Sequence, residues 1–248
     1  MKVEFLGALN CIGASSIFIK HEDTKILLDY GAKPREIPPR PPLRVREKVD
    51  ALILSHAHLD HSGFSPLVTK EFNCSVYGID VTLPLTELLL NDSLKISFEE
   101  KFPLPFNKND VENFSTKFIS IEYEKEFYIK KLKIKLLDAS HIPGSSHTLI
   151  ENKEKKILYT GDFNIIETKL LAPNFPVIEN LNVLITESTY YNRDHEDRKK
   201  EEKKLIEIVE KTISEDGICL IPSFAVSRAQ EVLLILNRRG IDYPLYID

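Results

Sequence analysis

Short apolar runs separated by small or polar turns mark the first 60 residues. Residues 2–6, 16–20 and 25–29 read as three short strands. The small-residue stretch Asn10 to Ser15 joins the first two, and the polar turn His21-Glu22-Asp23-Thr24 joins the second pair. Ala51-Leu52-Ile53-Leu54 has the length and character of a buried strand. Before it, five prolines within positions 34–42 exclude a continuous helix or central strand. That stretch, residues 33–48, carries Lys33, Arg35, Arg40, Arg44, Arg46 and Lys48 against Glu36 and Glu47. It reads as a stiff solvated linker first, and as a basic rim meeting phosphates second.

Further on, Gly63 to Phe72 reads as a short helix and Ser75 to Gly78 as a strand. Residues 80–119 are mostly helical in pattern, broken near Pro103 and Pro105. Phe127 to Ala139 returns to strand, and Lys133-Ile134-Lys135-Leu136 alternates as a half-buried strand does. Strands follow at Thr148–Glu151, Lys156–Tyr159 and Val183–Thr186. The charged run 191–204 opens a helix continuing through Leu205, Ile208 and Val209, with His195 at its surface. Ile218 to Pro222 reads as a strand, Ser223 to about Arg239 as a helix, and Pro244 to Asp248 as a strand.

Composition adds boundaries. The 248 residues are 42% hydrophobic and 29% charged, as in a soluble globular protein of one or two domains. No apolar run approaches the ~18 residues of a membrane span, and the first residues lack the apolar core of a signal peptide. Cys11, Cys74 and Cys219 are far apart and without CxxC spacing, so they read as reduced thiols in a cytoplasmic protein. The net charge of −5 lends no support to non-specific nucleic-acid binding, though a local basic face would suffice for it.

The chemistry concentrates in Ser55-His56-Ala57-His58-Leu59-Asp60-His61, directly after an apolar run. Imidazole nitrogen and carboxylate oxygen are the donors that zinc and similar divalent ions accept. On an extended segment His56 and His58 point the same way; a chance polar loop would scatter its histidines. Four more ligand-type residues stand at strand ends: Asp29, His141, Asp162 and Glu187. Tips of neighbouring strands lie side by side, so these distant residues are expected to converge. Asp29 reads either as a turn cap or as an outer partner that orients a ligand. Gly144, Ser145 and Ser146 offer phosphate donors or a plain tight turn, with equal weight. Ser223, Ser227 and Arg228 flank an expected helix start, which favours anions, although helix capping by Ser223 is the simpler reading.

In order and spacing, Asp29, His56-x-His58-x-Asp60-His61, His141 and Asp162 resemble the first four motifs of the metallo-β-lactamase superfamily. The resemblance implies an α/β fold, an αββα sandwich of two mixed sheets with metals at one edge. Glu187 in Thr186-Glu187-Ser188-Thr189-Tyr190, and the stretch Pro222 to Glu231, resemble the narrower β-CASP group of nucleic-acid-processing nucleases. That group includes ribonuclease J and the nuclease subunit of the cleavage and polyadenylation specificity factor. The implied organisation is a metallo-β-lactamase-like domain at 1–190 and the beginning of a cap domain at 191–248.

The same resemblance implies two zinc ions. His56, His58 and His141 would hold one, and Asp60, His61 and bridging Asp162 the other. Asp60, Asp162 and Glu187 would be catalytic, with Asp29 behind the metals. Glu187 would normally bond a cap histidine that protonates the leaving oxygen. The group's two further histidine motifs would lie past residue 248, and no histidine follows His195. The chain is therefore expected to be the front of a longer protein, with a partly occupied second site. The implied function is zinc-dependent hydrolysis of RNA phosphodiester bonds in cytoplasmic RNA processing or decay, including mRNA 3′-end processing. RNA is the implied partner, DNA a second, with no membrane and a homodimer through the later part. Alternatives are a hydrolase of small-molecule esters or thioesters, and an RNA-binding scaffold with a dead site. The presence of all six ligands weighs against the scaffold.

Overall fold

The computed structural model describes residues 1–33, 36–237, 240 and 243–247. It divides into two compact units, one of residues 1–165 with 173–187, the other of 166–172 with 188–248.

The first unit is built on two mixed sheets. The first places β1 (Lys2–Phe5), β2 (Ile17–His21), β3 (Thr24–Leu28), β4 (Ala51–Ile53), β5 (Ser75–Gly78) and β6 (Phe118–Ser120) side by side in that order. Strands β1 to β3 are antiparallel, and β3 to β6 run parallel. The second sheet contains β7 (Glu126–Ile129), β8 (Leu132–Asp138), β9 (Ser146–Glu151), β10 (Lys156–Tyr159) and β11 (Val183–Ile185), ordered β11-β10-β9-β8-β7. Only its β10–β11 pair is parallel.

The two-residue period of the strands sorts side chains between layers. Ile17, Ile19, Ile26, Leu28 and Ile53 of the first sheet meet Ile134, Leu136, Ile150 and Ile157 of the second in one core. Their neighbours Phe18, Leu27, Leu52 and Leu54 face outward into another core. Helices cover that outer face: α1 (Leu59–Ser62), α2 (Ser65–Phe72), α3 (Thr82–Glu99) and α4 (Lys108–Thr116). Phe64, Val68, Leu90, Val111 and Phe114 fill it. On the outer face of the second sheet, Leu137, Leu149 and Leu158 pack under Ile178 and Leu181. Two mixed sheets with these helices are the α/β architecture that the sequence led us to expect.

The second unit contains α5 (Arg198–Ser214) and α6 (Arg228–Asn237), which share a small core of Ile206, Val209, Ile235 and Leu236. Asp197 caps α5 by accepting from the Lys200 N–H at 2.9 Å. Glu231 is buried, and its carboxylate accepts the Lys169 and Leu170 N–H groups at 2.8 and 2.9 Å. It also pairs with Arg198.

Five expectations are corrected. Residues 118–120 form β6 within a stretch expected to be mostly helical, because α4 stops at Thr116 and the chain then pairs with β5. Phe127 to Ala139 is a hairpin rather than one strand; the turn uses Lys130 at φ 50° and carries no glycine or proline to announce it. Ile218 to Pro222 forms no strand. Ile218 and Leu220 are 95% and 89% exposed and have no ladder partner among the described residues. The helix expected from Ser223 begins at Arg228. Residues 244–247 form no strand, while Arg35, Arg239 and Asp248 lie outside the described residues.

Candidate metal centre

The sheets share an end where several chain segments leave their strands. Asp29 follows β3 with a left-handed backbone, φ 59°. Ser55 to His58 follow β4 and lead into α1. His141 follows β8, and Gly161-Asp162 follow β10. β3 and β4 are parallel neighbours, and β8 and β10 flank β9 antiparallel to it, so the exits of each pair fall on one side.

Two glycines permit the close approach. A Cβ on Gly31 would lie 1.7 Å from the Asp60 carbonyl oxygen. Without one, the Tyr30 N–H reaches the His61 carbonyl at 2.9 Å, and the Ala32 N–H reaches that of Leu59 at 2.7 Å. Gly161 has φ 55°, and a Cβ there would meet the Ser55 Cβ at 2.8 Å. The Ser146 N–H donates to the Ser55 carbonyl at 2.7 Å, tying the second sheet to the first beside the site.

Within this frame two sets of donors gather. In each, the potential ligand atoms lie within 4.8 Å of one another: His56, His58 and His141, and His56, His61 and Asp162. His141 Nε2 is 3.2 Å from His58 Nδ1. His61 Nε2 is 3.3 Å from Asp162 Oδ1, and His141 Nε2 is 3.7 Å from Asp162 Oδ2.

Hydrogen bonds behind the rings set the tautomers. Asp29 is fully buried, and its Oδ1 accepts the Ser55 N–H at 2.7 Å. Its Oδ2 accepts from Ser55 Oγ, His61 Nδ1 and Tyr159 Oη, each at 2.7 Å. An ionised carboxylate only accepts, so His61 carries its proton on Nδ1 and turns Nε2 toward Asp162. Ser55 Oγ spends its proton on Asp29, so His56 Nδ1, 3.0 Å away, donates to it. His56 Nε2 is left as a lone pair, buried and without a hydrogen-bond partner among the described residues. A buried acceptor with no donor is costly, and a divalent cation satisfies it. The donor set, imidazole and carboxylate without thiolate, suits zinc and related ions. The residues present fit the group that the sequence implied.

Electrostatics separate the two rings. Burial holds the His56 ring well below the usual histidine range, with the nearby His61 adding to it. Burial works the same way on His61, but Asp162 and Asp29 outweigh it and hold that ring well above the usual range. For Asp162, burial is outweighed by His61, His56 and His141, which keep its carboxyl far down.

The remaining expected residues are placed as follows. Asp60 lies in α1 and its carbonyl accepts the Ser15 N–H at 2.9 Å, but its carboxylate belongs to neither donor set, whereas His56 belongs to both. Glu187 follows β11 and lies outside both sets. Gly144, Ser145 and Ser146 are occupied with holding their loop. The Gly144 carbonyl accepts from Thr82 Oγ1 at 2.9 Å, and Ser145 Oγ accepts the His141 N–H at 2.9 Å. Both serines are buried. Ser223, Ser227 and Arg228 belong to the second unit, with Ser227 in a left-handed turn, φ 73°. Ser55, Tyr159 and Ser15 escaped the sequence reading. A tyrosine three residues before Asp162, on the inward face of its strand, was the available signal, since a buried phenol seeks a partner.

Mixed sheets crowned by histidines and an aspartate define a class. The family model described as the metallo-beta-lactamase superfamily matches residues 9–214, and the chain belongs to that superfamily. Among curated proteins it is 40% identical to Probable RNase MJ4 of Methanocaldococcus jannaschii, over 100% of this chain and 59% of that protein. It is 37% identical to RNase aCSPSF2 of Saccharolobus solfataricus, over 99% of this chain and 50% of the relative. It is 34% identical to Cleavage and polyadenylation specificity factor 73 of Drosophila melanogaster, over 96% of this chain and 36% of the relative. The chain thus spans roughly a third to three fifths of these relatives. A solved protein of unknown function from Enterococcus faecalis shares the fold, with TM-score 0.55 and 17% identity over 85% of this chain and 57% of that one. Among the described residues, no helix is long and apolar enough to cross a membrane.

Proposed function

We propose that the chain is the metal-binding part of a zinc-dependent ribonuclease that hydrolyses RNA phosphodiester bonds, of the β-CASP kind. The supporting observation is that the match to proteins named as RNases runs the whole length of the chain, which gathers a histidine–aspartate cluster at one end of its sheets. His56, His58 and His141 would hold one ion, and His61 and Asp162, with Asp60, a second. Bound there, zinc supplies Lewis acidity that activates water and neutralises charge on a phosphoryl group. The chain's own residues prepare the site. Asp29 fixes the His61 ring, Ser55 fixes that of His56, and Asp162 faces both His61 and His141. Glu187 is proposed to hydrogen-bond a histidine that protonates the leaving oxygen in the whole protein.

The test offers the purified protein, with zinc supplied, a labelled single-stranded RNA, the DNA of the same sequence, and a thioester. Cleavage of RNA ahead of DNA is expected. Turnover of the thioester without phosphodiester cleavage would overturn the proposal.

A further inference from the structure

We infer that Tyr159 and Ser15 are positioning residues for the metal centre: a two-hydroxyl relay that holds Asp29, and through it the ring of His61. The inference rests on the metal-binding reading above and deepens it.

The relay has a fixed direction. Asp29 Oδ2 lies 2.7 Å from Tyr159 Oη and only accepts, so the phenol donates to it. Ser15 Oγ, 3.2 Å from that phenol oxygen, must then donate to Tyr159. Burial drives the phenol's pKa well above its usual range, with Asp29 acting the same way, so it stays protonated and remains a donor. Ser15 is itself anchored on the ligand-bearing segment. Its N–H bonds to the Asp60 carbonyl, and its own carbonyl accepts from Gly31, both at 2.9 Å.

The geometry gives the relay its purpose. Ser55 and Asp29 both belong to the first sheet's loops, and they bond each other twice. Tyr159 is the donor to Asp29 that comes from the second sheet, the strand that delivers Asp162. The relay therefore sets the spacing between His61 on one sheet and Asp162 on the other, which face across 3.3 Å. Three groups converge on Oδ2, and the contact at 2.7 Å engages Nδ1 of His61, so that Nε2 is the ring nitrogen turned toward Asp162. Partners of this outer kind commonly govern metal affinity by about 10–100-fold.

The experiment compares wild-type protein with Tyr159→Phe and Ser15→Ala, titrated with cobalt(II) against a competing chelator. The absorption spectrum reports the ligand field, and nitrogen NMR reports the His61 tautomer in the metal-loaded wild type. Expected are a His61 proton on Nδ1, and a Tyr159→Phe protein whose weaker metal equivalent binds about 10–100-fold less tightly with an altered spectrum. The tighter equivalent stays unchanged. Ser15→Ala should shift affinity in the same direction by less. Affinities and spectra within twofold of wild type in both variants would overturn the inference, as would a proton on Nε2. Should Tyr159→Phe fail to fold, Ser15→Ala and the tautomer decide. None of these readouts uses RNA: metal binding as described without RNA cleavage defeats only the ribonuclease proposal, and unchanged variants of an active enzyme defeat only the relay.

Discussion

His141 Nε2 lies 3.2 Å from His58 Nδ1, although 83 residues separate them. Two imidazole nitrogens at this distance need a shared proton or a cation, since their lone pairs otherwise repel. Purified protein should therefore take up zinc at neutral pH, and less as the pH falls, because binding displaces protons. His58→Ala should lose metal by more than the ~10–100-fold typical of an outer partner. Elemental analysis after gel filtration measures this. Wild-type protein that stays metal-free in zinc would contradict it.

Gly31 touches the backbone of α1 so closely that a methyl group has no room. A Cβ there would be 1.7 Å from the Asp60 carbonyl oxygen and 2.6 Å from the His61 nitrogen. Gly31→Ala should cost roughly 3 kcal/mol or more, because backbone rather than a flexible side chain must move. It should also lower metal content, since the displaced segment carries His61. Thermal melting with and without zinc separates the two effects.

His147 gives a pH dependence of known sign. It is buried on β9, with Nδ1 2.9 Å from the Thr160 carbonyl and its ring against Phe163 and Phe175. Burial lowers its pKa below the ordinary histidine value of about 6.5. The unfolded chain therefore takes up this proton first as pH falls. The stability due to His147 is full above pH 6.5, declines below it, and levels off beneath the folded value. His147→Asn keeps a donor for Thr160 and cannot titrate in this range. Denaturant midpoints at pH 8, 6.5 and 5 should show wild type losing more stability than the variant. Parallel pH curves would refute the assignment.

Glu231 holds residues 166–172 within the second unit. Its buried carboxylate accepts the Lys169 and Leu170 N–H groups and pairs with Arg198. Glu231→Ala strands two amides and a guanidinium and should cost about 3 kcal/mol. Trypsin should then cut after Lys169 much faster than in wild type. An unchanged cutting rate would mean that other contacts hold the segment.

The strand-tip residues were legible because ligand-type side chains directly follow apolar runs, as at Ile53 to His56 and Tyr159 to Asp162. The paired sheets follow from the same two-residue period. The β7–β8 turn was hidden because Lys130 takes a left-handed conformation with no glycine to mark it. β6 was hidden because three residues beside a helix carry too little pattern of their own, and they become a strand by pairing with β5. Ile218 to Pro222 shows the reverse: a strand-like composition with no ladder partner among the described residues. Asp60 carried its motif yet stands outside both donor sets, while His56 joins both, a distinction that spacing alone does not make. Tyr159 read as one more apolar position, since nothing local shows that its hydroxyl meets a carboxylate 130 residues away.

That separation bears on how the molecule comes together. The bond between Ser15 and Tyr159 closes a span of 144 residues, and the Tyr159–Asp29 bond one of 130. Contacts this remote in sequence form late, once most of the chain entropy has already been surrendered. The proposed ligands, drawn from residues 56 to 162, therefore converge only after the two sheets have docked. On the proposed reading a metal would enter a finished framework instead of nucleating one, so zinc should slow unfolding strongly and leave the rate of folding nearly untouched.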